Sequence, residues 1–197
     1  MPIQLSSAIL SYAKLRMLQF YYDFLNKYVE RSDMNMMYMD TDSCYMAITS
    51  EKFEDIIKPE MRDEYEKEKN LWFPRTDNEE NLRYDTRTAG LFKVEFSGSG
   101  MVCLAPKLYY CPSDEKSKFS CKGVQKNNNS YMLNYKNFKD VLFNNLNMYV
   151  ENTGMRFINS SIVWYSTYKS GLTAKYNKRN VMRDKVSTAP LEDDEYM

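Results

Sequence analysis

Apolar residues recur at spacings of three and four between residues 6 and 29, which predicts a long helix. Apolar positions also lie on its other sides, so we expect burial on more than one side. Two short apolar runs follow, Met36–Met39 and Cys44–Ile48. The four polar residues between them, Asp40-Thr41-Asp42-Ser43, favour turns, and the pattern predicts a β-hairpin with a polar tip.

The rest of the chain alternates between helical and strand-like patterns. The apolar pattern of residues 51–72 predicts two helical segments separated at Pro59. Residues 74–89 are polar and show no hydrophobic periodicity, which predicts a loop. The run Asn127–Asn129 predicts a hinge between two subdomains. The other predicted elements are strands at 91–96, 101–105, 108–111 and 119–124, which form an antiparallel meander, a helix at 137–150 and a strand at 156–165. We therefore expect an α+β fold with an antiparallel sheet and packed helices.

Composition narrows the possible chemistry. The 197 residues include 0 histidines, which excludes His-dependent nucleophilic triads and His–zinc sites. The 4 cysteines show no C-x-x-C spacing, so we expect reduced thiols rather than a zinc site. No apolar run reaches the roughly 18 residues that a membrane helix needs, and the first residues do not resemble a signal peptide. We expect an intracellular protein that is neither secreted nor membrane-bound.

Charge is balanced overall and uneven locally. Lys and Arg number 27, as do Asp and Glu, so net charge gives no global signal for nucleic acid. Acids outnumber bases from Glu51 to Lys69, bases dominate from Lys169 to Lys185, and Glu192–Glu195 is acidic. Such runs are usually solvated faces, and local clustering is the only charge signal for DNA.

Asp40 and Asp42 are the most informative pair of side chains. In an extended chain, residues two apart point the same way, so both carboxylates can face one point from a hairpin tip. Mg²⁺ prefers such hard oxygen ligands, and two Mg²⁺ ions can clamp the attacking and leaving oxygens of a phosphoryl transfer. A purely structural turn is the alternative for these four residues alone. A calcium loop is excluded because Cys44 and Tyr45 occupy positions that need an oxygen ligand and a glycine.

Several segments in the same order resemble family B DNA polymerases. Tyr38–Ser43 is similar to motif C of that family, and Lys107-Leu108-Tyr109 is similar to its Lys-x-Tyr motif. Ala13–Tyr21 and the more weakly matching Lys175–Arg179 resemble the protein-primed enzymes of viruses and Polinton-type mobile elements. The other matching segments are Pro2–Leu25, like the helix after motif B; Gly90–Glu95, like the strand before Lys-x-Tyr; and Lys122-Gly123-Val124, like the Lys-Gly segment between palm and thumb.

The resemblance implies a fold, a reaction and partners. It implies a partial palm at residues 1–125 and a thumb-like region at 126–197. In the complete family enzyme, a primer 3′-hydroxyl attacks the α-phosphate of a deoxynucleoside triphosphate with two Mg²⁺ ions. By resemblance, Asp42 is the main metal ligand and Asp40 a secondary one, while Lys107, Tyr109 and Lys122 contact primer–template DNA. A terminal priming protein is the further partner that this group implies.

Three departures limit the resemblance. Met39 replaces the usual glycine before the first aspartate, which leaves less room for close backbone approach. Motif A, which supplies the other metal aspartate, and motif B, which supplies the triphosphate-binding lysine, are absent and are expected to precede Met1. We therefore expect the isolated chain to be inactive. The alternatives are a non-catalytic DNA-binding remnant, a partner subunit completed by another chain, and a plain α+β domain whose Asp-Thr-Asp-Ser is only a turn.

Overall fold

The computed structural model describes residues 2–175 and 180–189. The chain is a mixed α+β structure that divides into two compact units, Met1–Ser97 and Gly98–Met197. The division in the structure thus lies at residue 97, whereas the palm–thumb boundary expected from the sequence lies at residue 125. Most of the Lys175–Arg179 pattern and the whole acidic tail lie outside the described residues.

The first unit is built around one long helical segment. Helix α1 (Ile3–Gln19) continues through a π-helical turn, Phe20–Leu25, into the short α2 (Asn26–Tyr28). The hairpin of β1 (Met34–Asp40) and β2 (Ser43–Ile48) follows. The remaining elements are 3₁₀ turns at Phe53–Ile56, Pro59–Met61 and Lys69–Leu71, α3 (Arg62–Glu68) and α4 (Glu79–Asp85). The predicted break at Pro59 is confirmed, because proline begins a new helical turn there.

Aromatic packing forms the core of the first unit. Phe20, Phe24 and Tyr28 point inward from the helical segment and are at most 3% exposed. The Phe20 ring stacks on Phe92 with 4.0 Å between centroids, and Phe24 lies 5.3 Å from Trp72. This packing positions the hairpin, because Met34 belongs to the same buried cluster.

Two predictions for residues 74–96 are wrong. The segment 74–89 contains helix α4, which begins where the Asn78 side chain accepts a hydrogen bond from the Asn81 backbone N–H at 2.7 Å. Residues 91–96 form no strand. Phe92 instead donates its backbone N–H to the Trp72 carbonyl at 2.7 Å and buries its ring against Phe20. This apolar run therefore packs against the core of the first unit and does not pair in a sheet.

The second unit contains the predicted meander. Strands β3 (Val102–Ala105), β4 (Leu108–Cys111) and β5 (Lys118–Cys121) pair in sequence order and antiparallel. Helix α5 (Tyr135–Asn144) packs Phe138 and Val141 into the core and ends at Asn145, whose φ is +52°. The helix therefore stops before the predicted end at residue 150, because a left-handed residue terminates it.

A long β-ribbon follows where one strand was predicted. Strands β6 (Asn147–Ile158) and β7 (Ser161–Thr173) pair antiparallel over their full length. Asn159 and Ser160 connect them with φ of +47° and +61°, as a type I′ turn requires. The short strands β8 (Asn180–Val181) and β9 (Thr188–Ala189) pair with each other.

The described strands form four separate antiparallel sheets rather than one palm sheet. The hairpin β1–β2 is one sheet and the meander β3–β5 is another. The predicted hinge at Asn127–Asn129 is also wrong for Asn129, which is 0% exposed and hydrogen-bonded to the backbone of Gln125 and Glu151. That side chain joins the ribbon to the segment before it.

Candidate functional site

The predicted hairpin carries Asp40 and Asp42 at its tip. Asp40 is the last residue of β1 and pairs with Ser43, the first residue of β2, so Thr41 and Asp42 form a two-residue connection. A register shift at Met37 gives β1 one unpaired residue on the way to the tip. Bulges are frequent next to active sites, where they change the direction of a side chain. Because Asp40 pairs with Ser43, both carboxylates lie on a short turn that the two strands support.

The two carboxylates differ in their surroundings. Asp40 is half-buried, and its two oxygens accept hydrogen bonds from the Tyr38 hydroxyl at 3.4 Å and the Thr41 hydroxyl at 3.1 Å. Asp42 is exposed, and its carboxylate has no hydrogen-bond or ion-pair partner among the described residues. The hairpin thus orients one carboxylate and leaves the other open to solvent.

Thr41 holds a strained backbone conformation between them. Its φ is +53°, and the Asp42 backbone N–H donates to the Asp40 carbonyl at 2.6 Å. A bond between residues two apart, around a positive φ, is the pattern of a strained γ-turn. A β-branched residue in this region costs about 1–2 kcal/mol. The extended-chain argument for aligning the carboxylates therefore does not apply at Thr41, and their alignment stays a prediction.

The donor set fits part of a magnesium site. Carboxylate oxygens are the ligands that Mg²⁺ prefers, and Mg²⁺ often uses one or two of them while waters and substrate phosphates complete its shell. Within the described ranges, no three Asp, Glu or Cys side chains lie close enough together to hold an ion. Asp40 and Asp42 could supply the one or two carboxylates of such an ion, and waters and substrate phosphates would be its other ligands.

The Lys-x-Tyr residues lie on the meander of the second unit. Pro106 and Lys107 connect β3 to β4, and Lys107 has a φ of +62°, which is the pattern of a type II turn with proline first. The Lys107 carbonyl accepts a hydrogen bond from the Lys122 backbone N–H at 2.9 Å. The structure thus brings the backbones of Lys107 and Lys122 together, and both side chains are exposed.

Tyr109 and its neighbour Tyr110 point to opposite faces of this sheet. Tyr110 packs on Phe119 and Phe138 with ring centroids 5.5 Å apart in each pair, so it belongs to the core side. Tyr109 pairs with Ser120, is half-buried and lies on the other face. Tyr110 therefore takes the core role, and Tyr109 shares its face with Ser120, Lys118 and the half-buried Cys103.

A further lysine joins this region. The Lys169 Nζ lies 3.8 Å from the position that a Cβ on Gly123 would take, directly after Lys122. Asn152 fixes the ribbon there, because its side chain donates to the Gly123 carbonyl at 2.8 Å and accepts from the Gln125 backbone N–H at 3.0 Å. Sequence reasoning missed Lys169 as a neighbour of Lys122 because the two are far apart in the chain.

Charge is segregated between the two units. Unit Met1–Ser97 has 13 Lys and Arg against 18 Asp and Glu, and unit Gly98–Met197 has 14 against 9. Ion pairs such as Lys27–Glu64 and Arg75–Asp85 lie in the first unit. The net charge of zero therefore hides a basic second unit. Asp40 and Asp42 belong to the acidic unit, and Lys107, Tyr109 and Lys122 to the basic one.

Comparisons with protein-family models, curated proteins and solved structures found no match for this chain. No helix within residues 2–175 and 180–189 combines the length and apolarity that crossing a membrane takes. The interpretation of the site therefore depends on its own geometry and on the sequence motifs.

Proposed function

We propose that this chain is the C-terminal part of a DNA-directed DNA polymerase of the protein-primed family B group. The observation that carries the proposal is the hairpin tip, where Asp40 is held by two hydroxyls and Asp42 is open. This asymmetry supports Asp42 as the main metal ligand and Asp40 as the secondary one. Strain at Thr41 supports a functional role for this turn, because strained backbone clusters at active sites and ligand clamps.

Each part of the candidate site has a role in this proposal. Mg²⁺, when bound, would stabilise the charge that develops on the transferred phosphate. Asp40 and Asp42 would orient it, and Lys107, Tyr109 and Lys122 would hold the primer strand of primer–template DNA through contacts that carry no sequence information. The deoxynucleoside triphosphate and a terminal priming protein are the further partners proposed.

The exposure of α1 supports a larger palm around this unit. The expected burial of this helix on more than one side is wrong for α1, where Met17 is buried. The other large apolar residues of α1 lie on nearly all sides of the helix and are between 41% and 78% exposed. A helix that is apolar all round normally lies inside a core. We infer that further polypeptide covers it, as the segments carrying motifs A and B would. The exposed residues are Ile3, Leu5, Ile9, Leu10, Tyr12, Leu15 and Leu18.

A non-catalytic DNA-binding remnant is the second candidate function. The charge of the second unit favours it, since 14 bases against 9 acids can bind phosphates without any metal. Both candidates predict DNA binding, and both predict that the isolated chain does not extend a primer. They differ at Asp42: only the polymerase reading predicts metal binding there.

The DNA-binding claim is tested by titrating a fluorescent primer–template with the full chain at several salt concentrations. Each phosphate contact adds about −0.9 to the slope of log affinity against log salt. Lys107→Ala should therefore weaken binding and reduce the slope by about 0.9. Lys136→Ala is the matched control, because Lys136 is also exposed but lies on α5, which packs against the Tyr110 face of the sheet.

Two outcomes contradict the proposal. Absence of binding at low salt would favour a plain α+β domain, and equal slopes for Lys107→Ala and the unaltered chain would remove Lys107 from the interface. Primer extension by the isolated chain, abolished by Asp42→Asn, would show that our expectation of inactivity is wrong.

A further inference from the structure

The outer part of the β6–β7 ribbon is exposed on both faces. Every residue from Met155 to Ile162 is exposed, including the turn at Asn159 and Ser160. A two-stranded hairpin without other support is marginally stable in water. The full-length pairing of β6 with β7 therefore calls for a contact that stabilises this end.

The two faces of the outer ribbon differ in chemistry. Met155 pairs directly with Trp164, and Phe157 pairs with Ile162, so these four side chains share one face. They are 60%, 73%, 72% and 71% exposed, in that order, and we call them the apolar face. Arg156 lies on the other face, with its guanidinium carbon 4.7 Å from the centre of the Tyr165 ring. The apolar face contains no charged side chain.

We propose that the apolar face is a dimerisation surface whose occupant is the same face of a second copy of this chain. Two ribbons packed face to face form a four-stranded sandwich with sheets about 10 Å apart. Bulky side chains with this exposure bury about 500–600 Å² per copy, because an aromatic residue alone offers about 150–250 Å². The pair thus buries about 1,000–1,200 Å², which is about the minimum for a specific interface and the size range of weak, transient ones.

Charge favours a second copy over nucleic acid or lipid. Nucleic acid and anionic membranes bind through Lys and Arg, which the apolar face lacks. A two-fold contact between identical faces needs no complementary charge, so the lack of charge does not oppose it. Because the second unit is basic, repulsion between copies opposes the dimer, and added salt should strengthen it. DNA binding has the opposite salt dependence. This inference is independent of the proposed polymerase function.

Sedimentation equilibrium of the full chain is the primary test, with tryptophan fluorescence as a local readout. The chain has 2 tryptophans, of which Trp72 is 9% exposed and Trp164 is 73% exposed. A Trp72→Phe background isolates the emission of Trp164. We expect a monomer–dimer equilibrium that tightens with salt. The Trp164 emission should shift to shorter wavelength, and acrylamide quenching should fall, as protein concentration rises.

Ile162→Thr and Val163→Thr form a matched pair on opposite faces of β7. Threonine keeps the β-branched shape that favours strands, so both variants should fold. Ile162→Thr should weaken the dimer about tenfold or more, since it truncates one of the four side chains of the apolar face in both copies. Val163→Thr should leave the dimer unchanged. Circular dichroism verifies the fold of each variant.

Four results would overturn the inference. These are a monomer at all concentrations, equal loss of dimer in both variants, a dimer weakened by salt, and a Trp164 shift that occurs only with phospholipid vesicles or DNA. The last result would assign the face to a membrane or to nucleic acid.

Discussion

Removal of the Asn129 side chain should strongly destabilise the second unit. This side chain is 0% exposed and makes three hydrogen bonds to backbone. Its Nδ2 donates to the carbonyls of Gln125 at 2.9 Å and Glu151 at 2.7 Å, and its Oδ1 accepts from the Glu151 N–H at 3.0 Å. It therefore connects the segment after β5 to the ribbon strand β6.

The magnitude follows from these three bonds. A typical hydrogen bond contributes about 1 kcal/mol net, and a buried backbone group left unpaired costs about 1–3 kcal/mol. Asn129→Ala should therefore lower the free energy of unfolding by about 3 kcal/mol or more, a large share of the about 5–15 kcal/mol of a typical domain. Asn129→Asp keeps an acceptor for Glu151 but turns a carboxylate toward two carbonyl oxygens. Its stability should recover as pH falls and that carboxylate is protonated.

The assay combines urea unfolding with hydrogen–deuterium exchange. Asn129→Ala should lower the unfolding midpoint and speed exchange at the Glu151 amide, which loses its acceptor. Asn128→Ala is the matched control, because the exposed Asn128 bonds only to the side chains of Gln125 and Thr153 and should cost less than about 0.5 kcal/mol. Equal midpoints for the two variants, or unchanged exchange at Glu151, would refute the proposed role of Asn129.

Three further substitutions test other parts of the structure. Thr41→Gly removes the Cβ penalty of about 1–2 kcal/mol at a positive φ and adds about 0.5–1 kcal/mol of backbone entropy cost. The variant should therefore raise the urea midpoint slightly, and a lower midpoint would contradict backbone strain at Thr41. Arg75 lowers the pKa of Asp85 to about 2, so the stability that this carboxylate contributes is present above about pH 4 and is lost as pH falls toward 2. Asp85→Asn should therefore flatten the acid dependence of the urea midpoint between pH 4 and 2, and an unchanged slope would speak against the pair. Gly171→Ala would place a Cβ 2.3 Å from Val150 Cγ1, so calorimetry should show a loss of about 1–3 kcal/mol, whereas a neutral result would contradict this packing.

The sequence predicted best the elements that depend on local turn chemistry. Asp40–Ser43 separates two apolar runs, and the hairpin forms there as expected. The meander β3–β5 is also present, with Pro106 in its first turn. In both cases residues that favour turns interrupt apolar strands, so the order along the chain alone indicates the pairing.

Other elements were missed for identifiable reasons. Helix α4 is polar and shows no apolar period, although Asn78 followed by Glu79 and Glu80 is a helix-start signal that could have revealed it. The ribbon was predicted as one strand because Asn159 and Ser160 were not interpreted as a turn. The apolar run around Phe92 packs against a core instead of forming a strand, and hydrophobic periodicity does not distinguish these two cases.

The sequence indicated which residues belong to the candidate site but not their backbone conformation or their neighbours in the fold. The left-handed backbone at Thr41 and Lys107 depends on the turns that these residues occupy, and neither residue type normally favours it. The opposite charge of the two units is invisible in a total of zero until the division at residue 97 is known. The approach of Lys169 to Gly123 depends on the tertiary position of the ribbon.

Metal binding at the hairpin tip tests the central claim most directly. The measurement is a Mn²⁺ titration of the full chain followed by amide NMR signals, comparing the unaltered chain with Asp42→Asn. Asp33→Asn is the matched control, since Asp33 lies just before β1 at the other end of the hairpin and its carboxylate accepts a hydrogen bond from the Thr49 hydroxyl. We predict selective paramagnetic broadening at residues 40–43 that Asp42→Asn abolishes and Asp33→Asn retains. The absence of selective broadening at the tip, or broadening that survives Asp42→Asn, would contradict the claim that this turn is a polymerase metal site.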